Sequence, residues 1–276
     1  MTMLQKGIQC LAIVLAVFLV VTVIGGILGA MGLLGGLFAD GDATGEMKTY
    51  SVASEIKRLH IQVNAADLYI AEGDGFLVES NLKDLEVGEQ NGYLTVKDGT
   101  RVRFRGSDSY GDAVLKIYVP VGWEFDNIKL TTGVGRLTVD TLSSESVDFE
   151  LGAGDVSIGS LVATKSSDIE GGAGRVTVSD GLLHNLDLDM GVGQLNLTAA
   201  LTGDCQLDLG VGETNITLIG SKDDYRLELE KGIGSISVDG KSGFDYGSSG
   251  SGVCEVEING GIGAINVNFK AAKENE

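Results

Sequence analysis

Several residue types are scarce in this sequence, and each shortage excludes a class of protein. There is one proline, and aromatic residues make up 6% of the chain, which indicates a thin core of aliphatic side chains. Three cysteines are too few for a disulfide-based scaffold. Basic residues are also few: 20 Lys and Arg against 39 Asp and Glu give a net charge of −19. Such a chain offers no basic surface to phosphates, so nucleic acid is excluded as a partner.

Glycine, by contrast, is abundant, at 42 of 276 residues, and much of it lies in a repeated Gly-x-Gly motif. Val, Ala or Ile stands between the two glycines, and most successive copies are 19 or 20 residues apart. The first glycines of the seven copies are Gly133, Gly152, Gly172, Gly191, Gly210, Gly232 and Gly261. A period of about 20 residues is typical of a solenoid, in which each repeat buries its apolar face by stacking on its neighbours.

Apolar and polar residues alternate on both sides of the motif. In "LDLDMGVGQLNL", residues 186–197, Leu186 and Leu188 precede the glycines, and Leu195 and Leu197 follow them. Alternation with a period of two predicts half-buried strands. Glycine suits a corner where φ is positive or where the backbone packs closely on the next coil. Ordinary hairpins would instead show Asn-Gly or Asp-Gly turns at more variable spacing.

We therefore predict an all-β fold: a single-domain β-solenoid, similar to a parallel β-helix, with about 19–20 residues per coil. We expect irregular β-structure over residues 48–127, regular coils over 128–269 and a charged tail over 270–276. We expect the coils to stack in chain order, with Cys205 and Cys254 facing inward two coils apart. Their Cα atoms would then be ~10 Å apart, beyond the reach of a disulfide, and both would be reduced core residues.

The N-terminal part of the chain has the composition of a membrane span. Residues 7–39 carry no charge and are long enough to cross a bilayer as an α-helix. A cleaved signal peptide is the alternative, but its apolar region would be shorter and the segment offers a poor cleavage site. We predict an uncleaved transmembrane helix over 7–39, a cytoplasmic segment over 1–6 and a linker over 40–47. Lys6 precedes the helix and acids follow it, which predicts a single-pass protein of the cell membrane with the solenoid outside.

Small residues recur within the predicted transmembrane helix at a spacing that favours helix association. Such residues allow two helices to approach closely when they share one face. Other glycines interrupt the pattern, so a generally glycine-rich helix end is the alternative interpretation. The residues that would form a homo-oligomeric contact are Gly25, Gly29, Gly32 and Gly36.

One longer stretch resembles a known family. In "LKIYVPVGWEFDNIKLTTGVGRLTVDTL", residues 115–142, a strand ends in Val-Pro, a short polar turn follows, and an Ile-x-Leu strand leads into Gly-x-Gly. This arrangement is similar to the bacterial "putative adhesin" family, a domain of unknown function, and the resemblance covers residues 48–269. It implies a membrane-anchored β-solenoid of the bacterial cell envelope. It implies no enzyme activity and supplies no catalytic or cofactor-binding residues.

Acidic residues recur at two and four positions before the first glycine of most repeats. Equivalent positions stack in a solenoid, so these side chains should form two parallel columns on one outward face. One interpretation is a solvated face that keeps solenoids from pairing side by side. The other is a site where divalent cations, Ca²⁺ above all, bridge carboxylates of adjacent coils. The columns consist of Asp148, Glu150, Asp168, Glu170, Asp187, Asp189, Asp208 and Glu230.

The repeat is interrupted between the last two glycine motifs, at "GKSGFDYGSSGSG", residues 240–252. We expect a flexible loop there, and Phe244 and Tyr246 are candidate contacts for a glycan or protein ligand. The alternative is a tolerated insertion whose aromatic side chains cover an exposed coil.

Three functions remain open from the sequence. The repeat and the predicted anchor favour a non-enzymatic surface module for binding, adhesion or scaffolding. An envelope-stress sensor that signals through its helix is the second, although residues 1–6 are too short for a signalling domain. A polysaccharide-active enzyme is the third and the weakest. A catalytic site should break the repeat, whereas these acids follow it, and the sequence contains no Gly-x-Ser-x-Gly or His-Glu-x-x-His motif.

Overall fold

The computed structural model describes residues 44–52, 55–99, 112–242 and 246–272. The predicted transmembrane helix of residues 7–39 lies outside these ranges, together with Gly25, Gly29, Gly32 and Gly36. No helix within the described ranges is long and apolar enough to cross a membrane. The described strands fall in one contact unit that spans 43–100 and 110–276.

The described residues are organised as strands, joined by turns and a single 3₁₀ turn at Lys222–Asp224. The prediction of an all-β, solenoid-like fold is therefore confirmed. In chain order the strands are β1 (Thr44–Ser51), β2 (Arg58–Ala65), β3 (Asp67–Gly73), β4 (Leu77–Leu82), β5 (Leu85–Gln90), β6 (Tyr93–Asp98), β7 (Val114–Pro120), β8 (Glu124–Val178), β9 (Gly181–His184), β10 (Leu186–Thr202), β11 (Asp204–Ile219), β12 (Tyr225–Glu230), β13 (Ile233–Val238), β14 (Lys241–Ser242), β15 (Tyr246–Ser249) and β16 (Cys254–Lys270).

Strand β10 shows how one coil is built. Its residues alternate between buried and exposed up to the corner at Gly191–Gly193, and the alternation resumes after it. The coil pairs in parallel with β8 on one side and with β11 on the other, in a register that aligns corner with corner. Leu188, for example, lies beside Ile169 and Leu207, and all three side chains are buried. The apolar residues of each coil are thus buried by the coils stacked on either side of it.

The two glycines of each corner are required by close backbone stacking. Gly193 has φ 145° and Gly212 has φ 149°, conformations that residues with a Cβ rarely adopt. A Cβ atom on Gly212 would overlap the carbonyl oxygen of Gly193 in the coil before it. The same overlap recurs from corner to corner, so the glycines form a column in which backbone packs directly on backbone. This confirms both reasons for glycine that the sequence suggested.

The core is a continuous column of Leu, Ile and Val side chains between the two halves of each coil. Ser167 interrupts the apolar pattern in its repeat, yet it is 1% exposed. Its hydroxyl donates a hydrogen bond of 3.3 Å to the carbonyl oxygen of His184. The polar group is therefore satisfied locally, and the core tolerates it.

The coils do not follow chain order at the C-terminal end, and the expectation that they would is wrong. Strand β16 lies between β11 on one side and β12 and β13 on the other. Ile258 therefore has Leu207 and Leu229 as its neighbours. Cys254 at the start of β16 and Cys205 at the start of β11 consequently lie on adjacent strands, not two coils apart.

Antiparallel strands cover the outer edge that this arrangement leaves. Strand β15 pairs with β12, and β14 pairs with β13. The predicted flexible loop of residues 240–252 is thus partly two short strands, with Tyr246 paired to Glu230, while Phe244 lies outside the described residues. At the other end the pairs β1–β4, β4–β7 and β5–β6 are also antiparallel. Covering terminal coils in this way protects unpaired backbone groups from other chains.

Replacement of Gly193 by Ala tests the corner. The left-handed backbone and the stacked carbonyl oxygen should cost the folded state about 1–3 kcal/mol. We expect a lower midpoint of urea unfolding, followed by circular dichroism. Gly88→Ala is the control, since nothing lies within reach of a Cβ there and its φ is ordinary. Equal losses in the two variants would contradict close stacking.

Candidate binding face

The acidic columns predicted from the repeat exist in the structure. Parallel register places Asp187 beside Asp168, and Asp189 beside Glu170 and Asp208. These positions alternate with buried ones along each strand, so their side chains point away from the core. We call the following residues the acidic face: Asp148, Glu150, Asp168, Glu170, Asp187, Asp189, Asp208, Glu228, Glu230 and Glu257.

Amide side chains divide the acidic face where β16 is inserted. Asn259 lies between Asp208 and Glu230, so the acids of that column do not form an unbroken run. Its Nδ2 donates to Asp208 at 2.9 Å and to Glu257 at 3.1 Å. Gln206 also donates to Asp208, at 2.9 Å. Amide donors thus relieve carboxylate repulsion at this point of the stack.

A basic residue, Lys129, lies at the N-terminal end of the acidic face. The Nζ of Lys129 donates to Asp148 at 2.7 Å and to Glu150 at 3.1 Å. These hydrogen bonds, that to Asp148 first, raise the pKa of Lys129. His60 is its neighbour on β2, and burial followed by the charges of Lys97 and Lys129 lowers the pKa of His60. The potential along the face therefore changes from basic to acidic.

The middle of the acidic face carries uncompensated negative charge. Burial first, and then repulsion from Asp148, Asp187 and Asp189, raises the pKa of Asp168. Burial and repulsion from Asp208 and Asp187 raise the pKa of Asp189. Both carboxyl groups therefore hold their protons more tightly in the folded chain than in an unfolded one.

A second column, of amides and hydroxyls, runs along the half of each coil that follows the glycine corner. Asn215 donates to Asn196 at 3.1 Å, and Asn266 donates to Asn215 at 3.0 Å. Asn196 donates to Thr177 at 3.5 Å, and Ser237 donates to Asn266 at 2.8 Å. This ladder follows the spatial order of the coils, with Asn266 before Ser237, and its groups satisfy one another.

The glycine corner itself presents an apolar ridge beside the acidic face. Val134 is 48% exposed and Val192 is 47% exposed, each standing between two glycines. The interior leaves little room for a ligand, since the cavity beneath the corners near Met190 and Ile262 measures about 20 Å³, the space of a single water. The interior at these corners is therefore too small for a ligand larger than water.

A metal site on the acidic face stays a prediction. Within the described ranges no three His, Cys, Asp or Glu side chains are grouped as a metal ion would require. The stacked carboxylates come one from each coil in each column, and Ca²⁺ bound to them would need further ligands from water. Tyr246 is described only as part of β15, and a ligand contact there is likewise untested.

The fold and this face define a class of protein: a capped β-solenoid with repeated columns of like side chains on its outer surface. The chain belongs to the Toastrack DUF4097 family, whose model matches residues 78–268. The family expected from the sequence is thereby confirmed, while the membrane anchor remains a prediction. Among curated proteins, none matches the chain.

Solved structures with some similarity to this chain come from the bacteria Clostridium sporogenes and Parabacteroides distasonis. A "putative cell adhesion protein" from Clostridium sporogenes is 15% identical, with 82% of this chain and 99% of that chain covered and a TM-score of 0.35. A "putative adhesin" from Parabacteroides distasonis is 15% identical over 82% and 96% of the two chains, with a TM-score of 0.41. A "putative lipid binding protein" from the same species is 14% identical, with the same coverage and a TM-score of 0.28. With TM-scores this low, the likenesses carry no argument about function.

The raised pKa values predict a pH dependence of stability. Below the unfolded pKa of about 3.9 these aspartates are protonated in both states, and the folded chain loses stability as pH rises through their higher folded pKa. Asp168→Asn should therefore raise the free energy of unfolding at pH 7, by about 1 kcal/mol for each neighbouring charge pair removed and less in salt. The urea midpoint should rise accordingly. The gain should vanish below pH about 4.

Asp155→Asn is the matched control for this experiment. Asp155 lies beyond the glycine corner and accepts a hydrogen bond from Arg175 at 3.4 Å, so its removal relieves no repulsion. A gain in stability of the same size from Asp155→Asn would show that total charge, and not the acidic face, governs the effect.

Proposed function

We propose that this protein is a non-enzymatic binding module of the bacterial cell surface, held by the predicted transmembrane helix of residues 7–39. The observation that carries the proposal is the acidic face, a regular array of outward carboxylates fixed by parallel register. Spacing between neighbouring groups is set by the coils at ~4.8 Å, so the array is preorganised for a ligand that is itself extended or repetitive.

The arrangement of the acids favours binding over catalysis. Acid–base catalysis by two carboxyl groups needs environments that push their pKa values apart. Here Asp168 and Asp189 shift in the same direction and for the same causes. Their neighbours along the stack repeat the same chemistry, so no pair of carboxylates is distinguished as acid and base.

The chemistry of the face indicates a cationic ligand. A net charge of −19 attracts positive groups over long range, and the acidic face focuses that attraction. The apolar ridge at Val134 and Val192 lies directly beside it. Basic side chains of a protein, or amino groups of a cell-surface glycan, would meet carboxylates and an apolar strip together.

The proposed location is tested by adding protease to intact cells that express the full chain. We expect the solenoid to be digested, because the helix would place residues 40–276 outside the membrane. A cytoplasmic protein in the same cells must remain intact as the control. Protection of the solenoid until the cells are lysed would refute the surface location.

The proposed binding is tested by measuring how strongly the same cells bind to beads that carry poly-lysine or an amino-glycan, at physiological salt. The triple variant Asp168→Asn, Asp187→Asn, Asp189→Asn should bind about tenfold more weakly, since three carboxylates leave the centre of the face. Asp140→Asn, Asp155→Asn, Glu213→Gln is the control, which removes the same charge from the strands after the corner.

The two variants separate a specific face from general charge. Equal loss in both would mean that the acidic face has no special role. A further arm uses beads with an acidic polysaccharide, in millimolar Ca²⁺ and in chelator. Binding that requires Ca²⁺ and fails in the first triple variant would instead support carboxylates that bind through a bridging cation.

A further inference from the structure

An open cleft lies on the outer surface of the solenoid at its N-terminal end, where the β5–β6 hairpin packs beside β2. Strand β6 pairs in parallel with β2, and β5 pairs antiparallel with β6. The cleft measures about 700 Å³, within the range of roughly 300–1,000 Å³ that is typical of small-molecule sites. It shares no residue with the acidic face, so any ligand it holds is recognised by other chemistry.

The cleft owes part of its space to position 88, which carries no side chain. Gly88 pairs with Thr95, which stands between the buried Leu94 and Val96, so a side chain at position 88 would point outward with that of Thr95. A Cβ on Gly88 would meet no atom within 4 Å, and the backbone there is ordinary. Glycine is therefore not required by the fold at this position, in contrast to the glycines of the corners.

Arg58 is held in one orientation at the wall of the cleft. Its guanidinium carbon lies 4.5 Å from the centre of the Tyr93 ring, and its Nη1 donates to the Tyr93 hydroxyl at 2.9 Å. These two contacts fix the guanidinium before a ligand arrives. Among the residues that the structure describes, no carboxylate forms an ion pair with Arg58. Its other N–H groups are therefore available to an anion.

The hairpin turn at the rim of the cleft is also fixed. Asn91 has φ 52° and Gly92 has φ 76°, as in a tight two-residue hairpin turn. The carbonyl oxygen of Gly92 accepts hydrogen bonds from the amides of Lys57, at 2.8 Å, and Arg58, at 3.0 Å. The turn is thereby tied to the start of β2, which holds Gln90 and Asn91 beside the guanidinium.

The potential beside the cleft is positive, although the chain as a whole is acidic. Thr95 lies next to His60, and His60 lies next to Lys129. Burial first, and then the charges of Lys97 and Lys129, lower the pKa of His60, and both lysines act on it more strongly than the nearest acids. An anion is therefore favoured at this end of the solenoid.

One acid, Glu89, also lines the cleft. It pairs with Leu94, which is buried, so alternation along β5 directs its carboxylate to the other face of the sheet. The hydrogen bond with Tyr93 raises the pKa of Arg58 most, and the charge of Asp126 raises it least. Neither acid therefore neutralises the guanidinium.

We propose that this cleft binds an acidic sugar, a hexuronate residue of a polysaccharide. The guanidinium of Arg58 pairs with the carboxylate of the sugar through parallel N–H groups. The amides of Gln90 and Asn91 and the hydroxyl of Thr95 both donate and accept hydrogen bonds, as the hydroxyls of a sugar ring require. Tyr93 is 40% exposed, and its ring packs against the C–H groups of the sugar.

Calorimetric titration of the full chain, solubilised in detergent and kept in chelator, tests the ligand class. The probe is a tetrasaccharide of galacturonic acid, and its methyl ester is the neutral comparison. We expect the ester to bind about tenfold more weakly, because it cannot pair with the guanidinium of Arg58. Equal binding of the two, or no binding of the acid, would refute the proposal. Tetraglutamate carries carboxylates without sugar rings, and equally strong binding of tetraglutamate would overturn the assignment to a sugar.

Two variants test the cleft itself. Arg58→Gln should weaken binding of the tetrasaccharide about tenfold, whereas Arg136→Gln, which removes an arginine paired with Asp67, should leave binding unchanged. Gly88→Phe should fill the cleft and abolish binding while the urea midpoint stays near that of the wild type. Gly75→Phe is its control, because a Cβ on Gly75 also meets no atom and Gly75 does not line the cleft. Wild-type binding by folded Arg58→Gln or Gly88→Phe would contradict the site.

The triple variant of the acidic face separates this inference from the proposed function. Asp168→Asn, Asp187→Asn, Asp189→Asn should bind the tetrasaccharide in chelator at least as tightly as the wild type, since it keeps every residue of the cleft. Loss of binding in this variant would place the sugar on the acidic face and refute the cleft. Binding of the tetrasaccharide by a chain that fails to bind poly-lysine would refute the cationic ligand alone.

Discussion

Close parallel stacking of backbone on backbone at the glycine corner is the constraint on which the rest of the structure depends. Gly193 and Gly212 meet without side chains between them, and the two halves of each coil then fold over a narrow core. Larger residues at the corner would separate the coils and break the parallel hydrogen bonds on both sides. The aliphatic composition follows from this, because a coil so thin has no room for many aromatic rings.

Stacking in register also determines the surface. Any side chain that recurs once per repeat must lie beside its equivalents, whatever its charge. Stacked amides gain hydrogen bonds from this arrangement, because Asn215 donates to Asn196 and Asn266 donates to Asn215. Carboxylates repel one another, and their repulsion is reduced where Lys129, Gln206 or Asn259 donates a hydrogen bond. Burial and repulsion raise the pKa values of Asp168 and Asp189, so both carboxylates cost the folded chain stability at neutral pH.

The inserted position of β16 changes both the ends of the solenoid and its chemistry. The outer coil receives a cover of antiparallel strands, and the final strand is protected inside the stack. Stability of the outer coil then depends on a strand that follows it in the chain.

The sequence by itself determined the repeat, the corners and the side of each strand that faces the core. Those features are local: a period of two assigns Leu186 and Leu188 inward, and glycine pairs mark the bends. It also placed Asp168 with Asp187, because neighbouring repeats stack wherever the spacing is 19 or 20 residues. The order of the last two coils was decided only by tertiary structure. Coils with the same apolar pattern are nearly equivalent partners for one another, so periodicity cannot select between them. The choice depended on non-local pairing and on covering the outer edge with β14 and β15. It alone brought Asn259 beside Asp208 and placed Cys254 on the strand adjacent to that of Cys205.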